Sequence, residues 1–155
     1  MEGEIFHVTP KVSFDSIVAN GEIRPNTNNQ YVGAFGKHSG SYCRVRKFIS
    51  LFDYHNASIA EIEYAENKCL PTMSLTKENS LVVLFLSQSI WSKVLPYSRK
   101  NFEENLSQMV VPHIEAGYPE PISMKQISKI LILSTNDDED SLVKALRAGR
   151  QKYAL

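Results

Sequence analysis

Cysteine is scarce: the 155 residues contain two, Cys43 and Cys69, and neither belongs to a CxxC pair. A zinc ribbon and a dithiol redox motif are therefore not indicated, and the thiols read as reduced, in a cytoplasmic protein. Excess charge of either sign is also missing. Lys+Arg and Asp+Glu stand at 17 each, for a formal net charge of zero. Bulk electrostatic grip on nucleic acid usually comes with a basic surplus, so its absence weakens that reading while leaving room for a local basic patch, and net neutrality also argues against a polybasic membrane anchor. Long apolar runs are absent. The longest aliphatic stretch, Leu81-Val82-Val83-Leu84-Phe85-Leu86, is a strand's length and far short of a membrane span. The leading Met-Glu-Gly-Glu is acidic where a signal peptide is basic. No internal repeat or low-complexity block appears. What remains is ordinary globular composition, 43% apolar and 22% charged, which argues against a disordered chain. Its length suits one domain, 1–155, able to bury roughly two-thirds of its unfolded surface.

The pattern along the chain alternates short strands with a few short helices. Residues 5–8 read as a strand ended by Thr9-Pro10. Ser13 is a good N-cap for a helix with Phe14, Ile17 and Val18 inward, stopped by Asn20-Gly21. Residues 26–42, rich in Asn, Gly, Ser and Gln, form a long loop of the kind that is usually functional or mobile. Phe48 to Phe52 is a strand, residues 57–67 a helix, and Leu81 to Leu86 a central strand with both faces apolar. A short helix carries Trp91 and Val94. Residues 98–108 are polar, helical or looped. A strand spans Val110 to Ala116, broken by Pro112, and Pro119-Glu120-Pro121 turns the chain. Ile122 to Gln126 forms one helical turn and Ile130 to Leu133 a last strand. The run Asp137-Asp138-Glu139-Asp140 sits where carboxylates complement the dipole of a final helix, 141–153, and reads as a helix start rather than a metal site. Many short strands with few helices define an α+β fold.

Three polar residues stand out. His7 ends the first strand. A lone histidine is most often structural, yet strand ends opening into loops concentrate binding groups. Ser50 lies within Ile49-Ser50-Leu51-Phe52, either as a hydroxyl bonded to a nearby carbonyl or as support for a neighbouring carboxylate. Glu115 interrupts an apolar stretch, and periodicity alone favours an exposed position. Facing inward, it would need partners. Arg44, Arg46 and Lys47 precede the second strand, either as a solvated edge or as phosphate contacts. Gly33-Ala34-Phe35-Gly36-Lys37 lacks Walker spacing and opens no clear helix, so a P-loop is rejected. His38, His55 and His113 show no i,i+4 pairing, so a zinc site is rejected and no metal is expected.

Taken in order, these segments resemble the ADP-ribosyltransferase superfamily. Phe6-His7-Val8-Thr9 is similar to its first motif, a strand ending in His-x-Thr, and Ser16 to Pro25 to the helix–Gly–apolar–Pro continuation. Phe48 to Phe52 resembles the serine-bearing second motif. Glu115-Ala116-Gly117-Tyr118-Pro119-Glu120-Pro121-Ile122-Ser123 resembles the third, although Gly117 and Tyr118 stand where the family prefers aliphatic residues. The likeness spans about residues 5–133 and is nearest to small bacterial, toxin-like members with a His-led first motif. It implies a small split antiparallel sheet flanked by short helices, with NAD as substrate. It further implies that Glu115 is the catalytic carboxylate and that His7 bonds the nicotinamide ribose hydroxyls. The Val8 backbone would hold the nicotinamide amide beside Thr9, and Ser50 would support Glu115. Tyr64 or Tyr54 would stack on nicotinamide, and Arg46 would meet the pyrophosphate. The acceptor would be a macromolecule, protein or nucleic acid, or else water. Two other readings share the scaffold: an NAD-dependent RNA 2′-phosphotransferase, and a catalytically silent nucleotide- or partner-binding module.

Overall fold

The computed structural model describes residues 1–35, 40–97, 111 and 113–135. The chain opens with β1 (Ile5–Pro10), α1 (Lys11–Asn20) and β2 (Glu22–Ile23), then α2 (Tyr42–Arg46), β3 (Ile49–Asp53) and α3 (Ile59–Glu66). It continues with β4 (Leu81–Leu86), β5 (Leu95–Pro96), β6 (Glu115–Tyr118), β7 (Ile122–Ser123) and β8 (Ile127–Leu133). Two 3₁₀ turns, Gln88–Lys93 and Met124–Gln126, join these strands. The fold is α+β. Six strands form one antiparallel sheet in the order β5-β6-β3-β1-β4-β8, and β2 pairs with β7 apart from it.

Alternation along each strand loads both faces of the sheet. Ile5, Ile49, Leu51, Val82, Leu84 and Leu86 point to one side, where Phe14 of α1, Ile23 and Ile122 cover them. Phe6, Val8, Phe52, Leu81, Val83 and Phe85 point to the other, under Ala65 of α3 and Ile114. All six residues of β4 are buried, which explains its unbroken apolar run.

The ladder between β1 and β3 is short. It holds two pairs, Ile5↔Asp53 and Phe6↔Phe52, whereas β1 pairs with β4 as far as Pro10 and β3 with β6 as far back as Ile49. Beyond Phe6 the two central strands have no pairing with each other, and the sheet splits.

Several local expectations change. α1 starts at Lys11 behind Pro10, whose φ of −61° already suits the entry to a helix. Ser13 therefore lies within the first turn, and its hydroxyl donates to the Val32 carbonyl at 2.8 Å. Gly21, at φ 74°, is the left-handed stop, but Val18 faces outward and only Phe14 and Ile17 pack inward. α2 falls at the end of the expected loop. The strand expected over Val110 to Ala116 instead begins at Glu115 and runs to Tyr118. His113 adopts φ 64°, and Glu115 N–H donates back to the Val111 carbonyl at 3.2 Å, so His113 and Ile114 lie in a turn, while Val110 and Pro112 lie outside the described residues. The last strand starts three residues early, at Ile127. The expected segments 98–108 and 141–153, and the acidic run before the latter, lie outside the described residues.

Candidate functional site

The split between β1 and β3 opens a cleft of about 170 Å³, room for a ligand rather than a single water. One wall is His7, Val8 and Thr9. The other is Ile49 to Phe52 with Glu115, and α2 contributes Cys43 and Arg44. Residues of the 26–42 segment, from Asn26 to Phe35, line it as well. Strand divergence is what makes these side chains available, because a continued ladder would bring the two backbones together.

His7 bridges the split. Its Nδ1 lies 2.8 Å from the Ser50 carbonyl oxygen. A carbonyl only accepts, so Nδ1 carries the proton and Nε2 is left as an acceptor. Burial pushes the His7 pKa below its ordinary 6.5, with the Ser50 bond opposing in part. The ring is therefore neutral at pH 7, fixed in one tautomer, and suited to receive a hydroxyl from a ligand.

Glu115 is buried at 4% exposure. It stands opposite Phe52 across the β3–β6 ladder, and its Oε2 accepts the Val111 N–H at 3.2 Å. Its Nterminal turn thus supplies one of the donors a buried carboxylate requires. Cys43 packs beside it and donates to the Ala116 carbonyl at 3.3 Å. Burial, then the Glu115 charge, pushes the Cys43 thiol pKa well up, so the sulfur stays protonated and is no nucleophile at neutral pH. Gly117 follows on β6. A Cβ there would sit 2.6 Å from Cδ2 of Phe48, another cleft residue. The third-motif departure at this position has a steric reason: the ring of Phe48 occupies the space a larger residue would need.

Arg44 reaches the cleft and donates to the Asn29 side-chain carbonyl. It makes no ion pair with a carboxylate among the described residues. Arg24 also lines the cleft, bonded through Nε to Glu22 at 2.6 Å. Asn26 pins the same loop by donating from Nδ2 to the Tyr31 carbonyl at 2.8 Å. The cleft thus carries guanidinium groups from Arg24 and Arg44 and a carboxylate from Glu115.

Of the residues singled out in the sequence, His7, Val8, Thr9, Ser50 and Glu115 line this one cleft. Arg46, Tyr54 and Tyr64 do not. Two residues along a helix are about 200° apart, so Arg46 leaves α2 on a different side from Arg44. Tyr54 is buried in the apolar cluster against Phe6, its hydroxyl donating to Glu66 at 3.0 Å. Tyr64 is half exposed on α3 and meets His113 edge-on. The aromatic surfaces that do line the cleft are Tyr31, Phe35, Phe48 and Phe52. The sequence carries no periodicity that singles them out, since they come from a loop and from a strand's ends. Among the described residues, no three His, Cys, Asp or Glu side chains gather as a metal site, and no helix is long and apolar enough to cross a membrane.

Fold and cleft together define an α+β protein with a split antiparallel sheet, carrying an imidazole, a buried carboxylate and guanidiniums in the split. No protein-family model and no curated protein matches the chain. Two solved structures of protein CC0527 from Caulobacter crescentus, one of them a double mutant, are similar to it. Each is 16% identical and aligns over 92% of this chain and 97% of its own, with a TM-score of 0.44. The functional reading rests on the chemistry of the cleft.

Proposed function

We propose that the protein is an NAD-dependent ADP-ribosyltransferase, with Glu115 as its catalytic carboxylate. The observation that carries the reading is the meeting of His7, Ser50 and Glu115, distant in sequence, in the split between β1 and β3. Each has chemistry suited to the reaction. When the bond between ribose and nicotinamide breaks, its electron pair leaves with nicotinamide and positive charge develops on the ribose. A buried carboxylate held by a backbone N–H is an anion placed in advance for that charge. It also accepts the proton of an incoming nucleophile as the new ribose bond forms. Neutral His7, with Nδ1 occupied by Ser50, offers Nε2 to a ribose hydroxyl. Val8 and Thr9 continue the same wall beside it. Arg44, which reaches the cleft, supplies positive charge for the pyrophosphate.

The acceptor is a macromolecule or water. Incubation with NAD and measurement of released nicotinamide tests the reading. Glu115→Gln should lower turnover at least about 10²-fold, with the thermal melt still cooperative. Undiminished turnover in that variant removes Glu115 from the chemistry. Stabilisation of the wild type by NAD without any nicotinamide release would instead mark a silent nucleotide-binding module.

A further inference from the structure

Among the described residues, one hydroxyl on the Glu115 side of the sheet lacks a partner. Tyr97 follows β5 directly, and its N–H donates to the Glu115 carbonyl at 2.8 Å. Leu95 pairs with Gly117 and Pro96 with Ala116, which brings Tyr97 opposite Glu115. Directly opposed residues of an antiparallel pair project to the same face, with Cβ atoms about 4.5–5.5 Å apart. Tyr97 is therefore the neighbour of Glu115 on one side, as Phe52 is on the other. Its ring meets Tyr42 of α2 edge-on, centroids 5.0 Å apart, and Tyr42 meets Phe48 at 5.9 Å. These contacts hold the phenol in place. Its hydroxyl is shut off from solvent and has no hydrogen-bond partner among the described residues.

Orphaned buried hydroxyls are rare in folded proteins, because desolvation without a bond is unfavourable. A phenol brings one donor, and a carboxylate has about four acceptor sites. Burial and the Glu115 charge both raise the phenol's pKa, which keeps the O–H on the oxygen. A permanent donor thus stands beside an acid with acceptor capacity.

We infer that Tyr97 is a positioning residue for Glu115, its hydroxyl serving as a second donor, beside the Val111 amide, when the carboxylate engages a ligand in the cleft. The consequence for turnover rests on the ADP-ribosyl reading, but the contact is a property of the protein alone. Tyr97→Phe isolates it, since the ring and its packing remain. The Glu115 side-chain carboxyl carbon can be titrated by ¹³C NMR, with its resonance assigned by Glu115→Gln.

In Tyr97→Phe, the Glu115 midpoint should rise by about 0.5–1 pH unit, because the charged form loses a donor. The thermal midpoint should hold or rise. Turnover of NAD should fall roughly tenfold with KM within about twofold, the signature of a contact made in the transition state. An unchanged Glu115 midpoint overturns the inference, whatever the turnover. A raised midpoint in a protein that releases no nicotinamide supports the contact and overturns the ADP-ribosyl reading instead.

Discussion

A single hydrogen bond sets the protonation state of His7. Because Nδ1–H is committed to the Ser50 carbonyl, any second proton must go to Nε2 inside the cleft, where burial opposes it. The folded-state pKa lies below the ordinary 6.5, so just below that value the unfolded chain binds more protons than the folded one. Stability is therefore lost as pH falls through 6.5 toward the lowered folded value. Thermal melts from pH 8 to pH 5 should show a steeper decline for the wild type than for His7→Gln, and matching slopes would dispose of the linkage. Gly117 is constrained differently. Ala at this position meets the Phe48 ring at a distance real side chains do not reach. Gly117→Ala should cost about 1–3 kcal/mol in urea denaturation, as overpacking does. Phe48→Leu in the same chain should recover part of that loss by making room.

Among the helices, the most explicit local signal belongs to α3. Ser58 and Glu61 form a capping box: the Ser58 hydroxyl accepts the Glu61 N–H, and the Glu61 carboxylate accepts the Ser58 N–H at 2.9 Å. Ser58→Ala should lower stability by about 0.5–2 kcal/mol. Because α3 contributes no residue to the cleft, NAD turnover at 25 °C should be unchanged, and a parallel loss of activity would show that α3 supports the site after all. α2 is the contrary case. Five residues are too few to display a 3.6-residue period, so nothing in the sequence announces it. Its register nevertheless decides that Arg44, and not Arg46, reaches the cleft. β6 starts at Glu115, later in the chain than the apolar pattern from Val111 predicts, for a related reason. Val111 and Ile114 look like strand residues because they are buried, yet they flank a turn with His113 at positive φ.

At the scale of the molecule, burial separates structural from tolerant positions. Leu84 lies at the centre of β4 with no exposure, while Ile132 on β8 is 54% exposed. Leu84→Ala should cost about 2–5 kcal/mol. Ile132→Thr, which keeps a β-branched side chain, should stay within about 0.5 kcal/mol. Urea denaturation of both variants checks the contrast, and similar losses would mean that the β8 face is covered in solution. The same sheet that depends on Leu84 leaves β1 and β3 unpaired beyond Phe6, and the cleft exists because those strands diverge while each stays anchored to its other neighbour.

Local chemistry was readable in the sequence wherever it is short-range. Apolar runs mark β3 and β4, Gly21 marks the end of α1, and the polar residues His7, Ser50 and Glu115 stand out against apolar neighbours. Whether those three meet depends on contacts between residues 43 or more positions apart, which no local period encodes. The choice of cleft aromatics is equally non-local: Tyr54 and Tyr64 sit on plausible elements but face an apolar cluster and solvent, while Phe48 enters the cleft because Gly117 lacks a side chain. The order of amino acids specifies the class of fold and the chemical groups at hand. Which of them share a cavity is set by three-dimensional packing, because that depends on where a sheet stops pairing.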